Sequence, residues 1–342
     1  MARYFTPARL AAGAALLVLA TAAVLFLVPS SSYYLFLPDP AHPLAPIVKV
    51  AGERHPAKDV GGFYFVDVRF RKARLYEQLF SSLRPDNTTL VRVDQVRAPG
   101  VSEREQEQQD IADMAQSQKI AAGVALQRLG YRVPGLTDGV LVSRVIKGAP
   151  AARVLRKGDR IVGASGHVVR TTADLRRILG GHSPGDVLSI AYRRDGRVLT
   201  ARIKTIADPD FPGRTIIGII SGLKIKLPIK IHFATRGVGG PSAGLAFALD
   251  VTEELGRNVD HGYKVAATGA LEPDGTIDEI GGVQQKTIGA RDAGVDVFVV
   301  PAGNNARVAR RYAGGLRVLA VKSFPQALHA LATLPEKRSG TA

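Results

Sequence analysis

The spacing of apolar residues changes within one short stretch of the chain, residues 228–250, P-I-K-I-H-F-A-T-R-G-V-G-G-P-S-A-G-L-A-F-A-L-D. Ile229, Ile231 and Phe233 alternate with polar neighbours, which predicts a half-buried strand. From Pro241 onwards the apolar positions follow a helical spacing, and proline suits a first helical turn because its missing N–H would have no partner there. The stretch therefore predicts a strand, a glycine-rich turn and a helix.

Ser242 lies where the predicted strand, turn and helix meet. Glycines flank it, among them Gly239 and Gly240, and glycine lets the backbone approach a ligand closely. The unpaired N–H groups and the dipole at a helix N-terminus favour negative charge. This setting suits a serine nucleophile and the oxyanion that forms from its attack. A serine that merely caps the helix behind a flexible loop explains the same stretch equally well.

A second apolar pattern lies at the N-terminus, where residues 10–28 carry no charge and consist mainly of Ala, Leu and Val. A helix of this length spans about 28 Å, against a hydrocarbon core of about 30 Å. Arg3 and Arg9 precede the run and the next basic residue is Lys49, so we expect residues 1–9 in the cytoplasm and the remainder outside. A cleaved signal peptide is disfavoured because a poor cleavage site follows the run. The sequence predicts a single-pass anchor in the cell membrane, with the lipid bilayer as a partner.

The segment that follows carries weaker patterns. Residues 33–60 are rich in proline and predict an extended segment, and residues 62–70 predict one strand with alternate apolar side chains on one face. Ser102 with Glu105 three residues later has the spacing of a capping box, which predicts the start of a long helix. We interpret this helix as a spacer or docking element rather than as part of a site.

The next part of the chain is a unit of short predicted strands. The run G-V-L-V-S-R-V-I-K-G-A-P-A-A-R-V-L-R-K-G-D-R-I-V-G-A-S-G-H-V-V, residues 139–169, resembles a PDZ domain of the bacterial protease-associated kind, and the resemblance covers most of 120–205. It implies a groove between a strand at 140–143 and a helix at 172–179 that takes an extended peptide by strand addition. The residues expected to line this groove are Val140, Leu141, Val142 and Leu175.

The composition narrows the functional classes. The chain has 342 residues, of which 46% are hydrophobic, enough for two or three compact units. Its net charge is +16, but the arginines are scattered, and no basic run with aromatics, zinc-finger spacing or RNA-binding signature occurs. We therefore expect no nucleic-acid partner and a mild attraction to an anionic lipid or envelope surface. The chain has no cysteine, which excludes a thiol nucleophile, thiolate metal ligands and disulfides.

A serine nucleophile needs a base, and histidine is one choice. Residues 240–244 fit G-x-S-x-G, the nucleophile elbow of α/β-hydrolases, and Asp296 and His329 follow in the required order. Against this, few βα repeats precede the serine, and His329 lies on a predicted amphipathic helix. A metal-bound water is excluded because there is no H-E-x-x-H and no close histidine pair, so we expect neither metal nor cofactor.

Lysine is the other choice. Lys286 lies in I-G-G-V-Q-Q-K-T-I-G-A, in the first turns of a predicted helix with apolar neighbours. Keeping an ordinary lysine neutral near pH 7.5 costs roughly 4 kcal/mol, and burial can lower its pKa by up to about 3–5 units. On spacing alone, a surface lysine on an amphipathic helix explains the pattern better.

Three motifs favour lysine as the base: G-P-S-A-G, A-A-T-G-A-L and G-T-I-D-E-I-G-G-V-Q-Q-K, in that order. Together they resemble the proteolytic domain of the Lon family of Ser–Lys peptidases over residues 225–305. The resemblance implies that Ser242 is the nucleophile and Lys286 the general base. It further implies that the Thr268 hydroxyl helps to hold the lysine, and that Gly239 and Gly240, with the Ser242 amide, line the oxyanion site.

The whole chain resembles the membrane-bound PDZ–Lon proteins of bacteria, which implies an α+β fold. The predicted units are a cytoplasmic tip and anchor at 1–32, a linker with a strand and a long helix at 33–119, a PDZ domain at 120–205, a Lon-type proteolytic domain at 206–335 and a tail at 336–342.

The functional expectation is an ATP-independent endopeptidase, because no G-x-x-x-x-G-K-[ST] motif for nucleotide occurs. Its substrates would be unfolded extracytoplasmic proteins or proteins presented by the PDZ domain. Gly239 and Ala270 stand where ATP-dependent Lon enzymes usually carry acidic residues, which leaves the specificity open. Association with further copies of the chain also stays open. The alternative function is an anchored PDZ scaffold with an inert hydrolase domain.

Overall fold

The computed structural model describes residues 7–51, 61–97, 100–209, 211–235, 239–335 and 337. Predictions that fall on the N-terminal tip, on Gly237 in the glycine-rich turn and on most of the C-terminal tail lie outside these residues.

The helices of the described residues alternate with strands along most of the chain. They are α1 Pro7–Leu27, α2 Leu75–Leu79, α3 Val93–Val96, α4 Glu103–Arg128, α5 Thr172–Gly180, α6 Gly244–Glu254, α7 Val283–Asp292, α8 Asn304–Tyr312 and α9 Phe324–Ala332, with 3-10 turns at Ser81–Leu83, Pro150–Arg153 and Pro241–Ala243.

The strands are short and belong to several sheets. They are β1 Pro29–Pro38, β2 His42–Pro43, β3 Val48–Val50, β4 Gly62–Phe65, β5 Val68–Arg74, β6 Thr89–Arg92, β7 Val140–Val145, β8 Arg160–Ala164, β9 His167–Val168, β10 Val187–Arg194, β11 Arg197–Lys204, β12 Ile206–Ala207, β13 Thr215–Ile216, β14 Ile219–Gly222, β15 Ile231–Phe233, β16 Lys264–Ala267, β17 Ala270–Leu271, β18 Ile277–Asp278, β19 Val297–Pro301 and β20 Arg317–Val321.

Helix α1 is apolar from Leu10 to its end and largely exposed. Its segment Leu10–Leu27 has a mean hydropathy of 2.5, and none of that segment is buried. A helix of this length and composition can cross a membrane, and an N-terminal signal sequence meets the same description. The predicted apolar helix is therefore present, and most of its apolar surface is exposed.

The strand predicted over residues 62–70 is wrong as a single element. The structure has two strands there, β4 and β5, and they belong to different sheets. β4 runs parallel to β16, whereas β5 pairs antiparallel with β1. The chain changes direction at Val66 and Asp67, which join the two strands. Apolar residues continue at every second position across Val66 and Asp67, so the sequence pattern did not show that one strand ends and another begins there.

A five-stranded sheet in the order β2-β4-β16-β19-β20 forms the centre of the C-terminal part. Alternate residues of its strands enter two separate cores, as a sheet buried on both faces requires. Val297 and Val299 pack in the core shared with α4 and α6, while Phe298 and Val300 pack in the core shared with α7 and α8. Helix α7 is thus fixed on one face of the sheet and α6 on the other.

The long helix α4 begins as predicted but has a different role. Ser102 and Glu105 form the expected capping box. The interpretation as a spacer is wrong, because Met114, Ile120 and Val124 are buried in the same core as α6. Residues 33–119 were expected to form a linker. Segments of this range instead contribute the start of α4, β4 and the edge strand β2 to the body that contains the Lon-like motifs.

The PDZ-like unit has the sheet order β11-β10-β8-β7-β14, with α5 packed against it. The groove predicted at strand 140–143 is wrong. Both edges of β7 are paired, one with β8 and the other with β14, which comes from the connection to the next domain. Val140, Val142 and Leu175 are buried in the core of this unit, and Leu141 pairs with Gly222 of β14. An incoming peptide therefore finds no free edge on β7.

The chain enters and leaves the PDZ-like unit at the same place. Lys226 N–H donates to the Pro134 carbonyl oxygen at 2.9 Å. A Cβ on Gly135 would overlap the carbonyl oxygen of Lys224, so this close crossing of two backbones requires glycine. The PDZ-like unit is an insertion into a body built from chain segments on both sides of it.

Candidate active site

Ser242 lies in the 3-10 turn Pro241–Ala243, directly before α6. Gly240 has φ +83°, a conformation that favours glycine, and it directs the chain into this turn. A Cβ on Gly244 would lie 2.9 Å from Ser117 Oγ and 3.1 Å from Leu271 Cβ. The glycines of the motif therefore allow a sharp entry into the helix and the close packing of α4 against it.

Lys286 reaches Ser242 from α7 on the opposite face of the sheet. Its side chain is 4% exposed, and Nζ donates to Ser242 Oγ at 2.7 Å. Burial disfavours the ammonium ion and lowers the pKa of Lys286 to about 8, although the carboxylate of Asp67 acts in the opposite direction. A large fraction of this lysine is neutral at mildly alkaline pH, as a base must be.

Thr268 joins the serine and the lysine. It follows β16 and is fully buried. Lys286 Nζ donates to Thr268 Oγ1 at 3.2 Å, and Oγ1 donates to the Ser242 carbonyl oxygen at 3.1 Å. The Gly269 N–H donates to the same carbonyl at 2.8 Å. The sheet thus fixes both the amine and the backbone of the serine.

The glycines expected to line the oxyanion site have another role in this structure. The Gly240 N–H donates to the Asp110 carbonyl oxygen at 3.0 Å, so it is already engaged by α4. A Cβ on Gly239 would lie 2.7 Å from Asp110 Cβ. Gly239 contacts α4 by close packing and Gly240 through its N–H, and Gly239 also lines the Ser242 pocket. That the two glycines line an oxyanion site stays a prediction. The Ser242 N–H, in the first turn of its 3-10 helix, is the candidate donor.

Sequence reasoning missed Asp67, which lines the same pocket as Ser242 and Lys286. Burial and the neighbouring carboxylate of Asp39, which also hydrogen-bonds to it, raise the pKa of Asp67, while His42 and Lys286 act in the opposite direction. The His42 ring Nε2 lies 2.9 Å from Asp39 Oδ2 and 3.7 Å from Asp67 Oδ1. A cation is disfavoured at this cluster because Arg69 Nε already contacts Asp39 Oδ1 at 2.6 Å.

The cavity beside Ser242, called here the Ser242 pocket, has a volume of about 900 Å³. Its walls come largely from the chain before the PDZ-like unit. The apolar lining residues are Tyr34, Phe36, Val68, Phe70, Val96 and Ile111. Phe70 and Ile111 are 53% and 56% exposed, so apolar surface faces the open side of the pocket. An extended polypeptide with apolar side chains fits such a surface.

The histidine alternative is wrong. Asp296 precedes β19 and accepts from Lys264 N–H at 2.8 Å, whereas Thr268 follows the parallel strand β16. Asp296 and Thr268 thus lie at opposite ends of these parallel strands. Asp296 also pairs with Lys337 at 2.6 Å. His329 is exposed on α9 and, like Asp296, is absent from the lining of the Ser242 pocket.

Two known families match the chain. Residues 127–205 match the PDZ domain, and residues 222–332 match the Lon protease (S16) C-terminal proteolytic domain. Among curated proteins, Lon protease of Mycoplasma pneumoniae is 34% identical over 105 residues, which are 29% of this chain and 13% of the relative. Lon protease 2 of Bacillus subtilis is 29% identical over 98 residues, which are 29% of this chain and 17% of the relative.

The PDZ-like unit has relatives of its own. The serine protease Do-like HtrA of Lactococcus lactis subsp. cremoris is 37% identical over 70 residues, which are 20% of this chain and 17% of that protein. The solved PDZ domain of the SdrC-like protein of Listeria monocytogenes is 32% identical and covers 25% of this chain and 87% of that one, with a TM-score of 0.23. The chain thus spans less than a fifth of the length of these curated relatives.

The family match over residues 222–332 and the similarity to Lon proteases support a serine-type peptidase domain of the Lon kind. A PDZ domain precedes it in the same chain, so the protein has the PDZ–Lon architecture that the sequence predicted.

Proposed function

We propose that this protein is a membrane-anchored endopeptidase in which Ser242 and Lys286 form a catalytic dyad. The observation that carries the proposal is the 2.7 Å contact between Lys286 Nζ and Ser242 Oγ inside a buried site. A lysine acts as a general base only when it is neutral, and burial supplies that condition here. Among the residues that the structure describes, the pocket lining contains no histidine, so lysine is the base that the geometry supports.

The proposed reaction follows from these positions. Neutral Lys286 takes the proton of the Ser242 hydroxyl while Oγ bonds to the peptide carbonyl carbon. The Ser242 N–H stabilises the oxyanion, and the Lys286 ammonium returns the proton to the leaving amine as the C–N bond breaks. A water molecule then attacks the acyl ester, Lys286 accepts its proton, and Ser242 recovers that proton as the acid is released. Thr268 holds the amine in line throughout.

The proposed substrates are unfolded or flexible polypeptides, and cleavage needs no ATP. The absence of a Walker-type phosphate loop from the sequence supports cleavage without ATP. The open, apolar-lined Ser242 pocket suits an extended chain. The apolar, unburied helix α1 supports anchoring in the cell membrane with the domains outside.

We propose that substrates reach the site along β14 rather than β7. β14 is the last strand of the PDZ sheet among the described residues, and Ile220 and Ser221 on it are exposed. A cleft of about 360 Å³ runs between this strand, Thr172 and Arg176 of α5, and Pro241, which directly precedes the nucleophile. An extended segment added to β14 would therefore lie next to the peptidase domain.

A paired assay tests the function. The wild-type chain is incubated with denatured casein in the absence of ATP, beside Ser242→Ala and Lys286→Arg, and cleavage sites are mapped by mass spectrometry. Guanidinium stays protonated, so Lys286→Arg keeps the charge but cannot act as a base, and both variants should be inactive. A wild type that binds casein but leaves it intact supports the inert scaffold instead. Retained activity in Lys286→Arg contradicts the dyad.

A further inference from the structure

Residues 75–83 form a short apolar protrusion, called here the foot, made of α2 and the 3-10 turn Ser81–Leu83. Three large apolar side chains on it face outwards: Leu79, Phe80 and Leu83 are 63%, 48% and 54% exposed. Apolar side chains concentrated in this way on one surface feature mark a contact with a partner or a membrane.

The foot lies directly at the end of the apolar helix α1. The rings of Phe26 on α1 and Tyr76 on the foot stack with centroids 4.3 Å apart and planes 18° from parallel. The Leu75 N–H donates to the Val28 carbonyl oxygen at 3.3 Å. The exposed apolar side chains of the foot therefore lie beside the end of α1 and extend its apolar surface.

The polar groups inside the foot are paired, which makes it a rigid element. Glu77 is fully buried and accepts from Arg71 Nη1 and Nη2 at 2.8 and 2.6 Å and from Arg74 N–H at 2.7 Å. The Arg84 guanidinium binds the Glu77 carbonyl oxygen at 2.5 Å. A buried, fully paired carboxylate holds the short helix in place, so Leu79, Phe80 and Leu83 cannot easily turn inwards.

We propose that the foot lies in the lipid interface beside α1, with Leu79, Phe80 and Leu83 among the acyl chains. This proposal rests on the proposed membrane anchor. Arg74 and Arg84 border the foot, and basic side chains next to an apolar face favour anionic headgroups. Arg71 both binds Glu77 of the foot and lines the Ser242 pocket. The foot thereby holds the pocket at a fixed height above the membrane, where it meets polypeptides close to the bilayer.

The chain contains no tryptophan, so single tryptophans can report depth in the full protein. We place tryptophan at Phe80, at Leu19 within α1 and at exposed Phe211 far along the chain, and reconstitute each variant in vesicles of phosphatidylcholine and phosphatidylglycerol with brominated acyl chains. We expect the brominated chains to quench the tryptophan fluorescence of Leu19→Trp and Phe80→Trp strongly and that of Phe211→Trp not at all. If only Leu19→Trp is quenched, the proposed lipid contact of the foot is wrong and the membrane anchor stands. If neither Leu19→Trp nor Phe80→Trp is quenched, the membrane anchor is wrong.

A second copy of the chain is the rival occupant of this surface. Because the protein has no cysteine, Phe80→Cys introduces a single thiol. Under mild oxidation in the same vesicles, we expect this variant to stay monomeric. Efficient formation of a disulfide-linked dimer, together with unquenched Phe80→Trp, shows that the face binds another copy and overturns the lipid contact.

Discussion

The carbonyl oxygen of Asp39 occupies the space that a Cβ on Gly289 would fill. Gly289 lies three residues beyond Lys286 on α7, so the segment before the PDZ domain packs directly on the helix that carries the lysine. Gly282, at the start of the same helix, makes a second such contact, because its Cβ would lie 2.7 Å from Val68 Cγ2. The position of Lys286 therefore depends on chain segments that precede the PDZ domain.

Gly289→Ala tests this dependence. Alanine favours a helix over glycine by roughly 1 kcal/mol, yet the new methyl group would overlap a backbone atom that cannot rotate away. We expect a net loss of stability of about 1–3 kcal/mol and reduced peptidase activity, measured by thermal unfolding and peptide cleavage. Gly180→Ala, at the end of α5, is the matched control, because no atom lies within 4 Å of its Cβ position and it does not line the Ser242 pocket. Equal stability of Gly289→Ala and the wild type would contradict the packing.

The pH dependence of cleavage should follow Lys286. The lysine must be neutral to act, so the rate should rise with pH and level off above the lysine pKa of about 8. The charge of Asp67 raises that pKa, so Asp67→Asn should shift the rising limb to lower pH. Asp94→Asn, at an exposed surface pair, should leave it unchanged. A rise centred near 6.5, the ordinary histidine value, would be evidence against lysine.

Thr268 should matter through its hydroxyl. Thr268→Val keeps the shape but removes the hydrogen bonds to Lys286 Nζ and to the Ser242 carbonyl. We expect kcat/KM to fall by a factor that corresponds to about 1–3 kcal/mol, with the chain still folded. Thr268→Ser restores the hydroxyl and should recover most of the rate. If Thr268→Val keeps most of the rate while Thr268→Ser is slow, packing of the methyl group rather than hydrogen bonding sets the effect.

Asp250 on α6 should limit stability at neutral pH. Burial, with Glu254, Glu253 and Asp260 nearby, raises the pKa of Asp250 well above its ordinary range, and Oδ2 has no hydrogen-bond partner among the described residues. The folded state holds this proton more tightly than the unfolded state, so the contribution is full at acid pH and is lost as pH rises through the raised pKa.

Asp250→Asn removes this ionisation. We expect a higher Tm at pH 7, by about 2–4 °C for each kcal/mol recovered, and a smaller loss of stability between acid and neutral pH. Thermal unfolding across pH measures both quantities. An unchanged pH dependence would show that another group is responsible.

Deleting the PDZ insertion should separate delivery from chemistry. Pro134 and Lys226 are hydrogen-bonded neighbours, so a short glycine–serine link can replace the residues between them. We expect cleavage of short peptides to persist and cleavage of denatured casein to fall. Ser221→Pro, which blocks strand addition at β14, should reproduce the second effect alone. Equal losses on peptides and proteins would assign a purely structural role to the insertion.

The roles expected for Lys286 and Thr268 came from the resemblance of their motifs to the Lon family, because spacing alone favoured a surface lysine. The strand, glycine turn and helix around Ser242 fitted a nucleophile and a helix cap equally well. Asp67 was not predictable in the same way. Its place depends on the parallel pairing of β4 with β16, which joins residues far apart in sequence. The predicted PDZ groove is wrong for a related reason, since β7 is covered by β14, which lies in the segment assigned to the next domain. Pairings between distant strands leave no periodic trace in either partner.

The insertion of the PDZ domain into the peptidase body also determines the order in which the parts of the site are synthesised. A chain made from its N-terminus presents α4 and Asp67 first, then the whole PDZ domain, then Ser242, and Lys286 and β19 later still. Ser242 thus emerges before β16, β19 and β20 complete the sheet and before the helix that carries Lys286 is made. The contact between Lys286 Nζ and Ser242 Oγ can therefore form only after the strands made last have joined those made first.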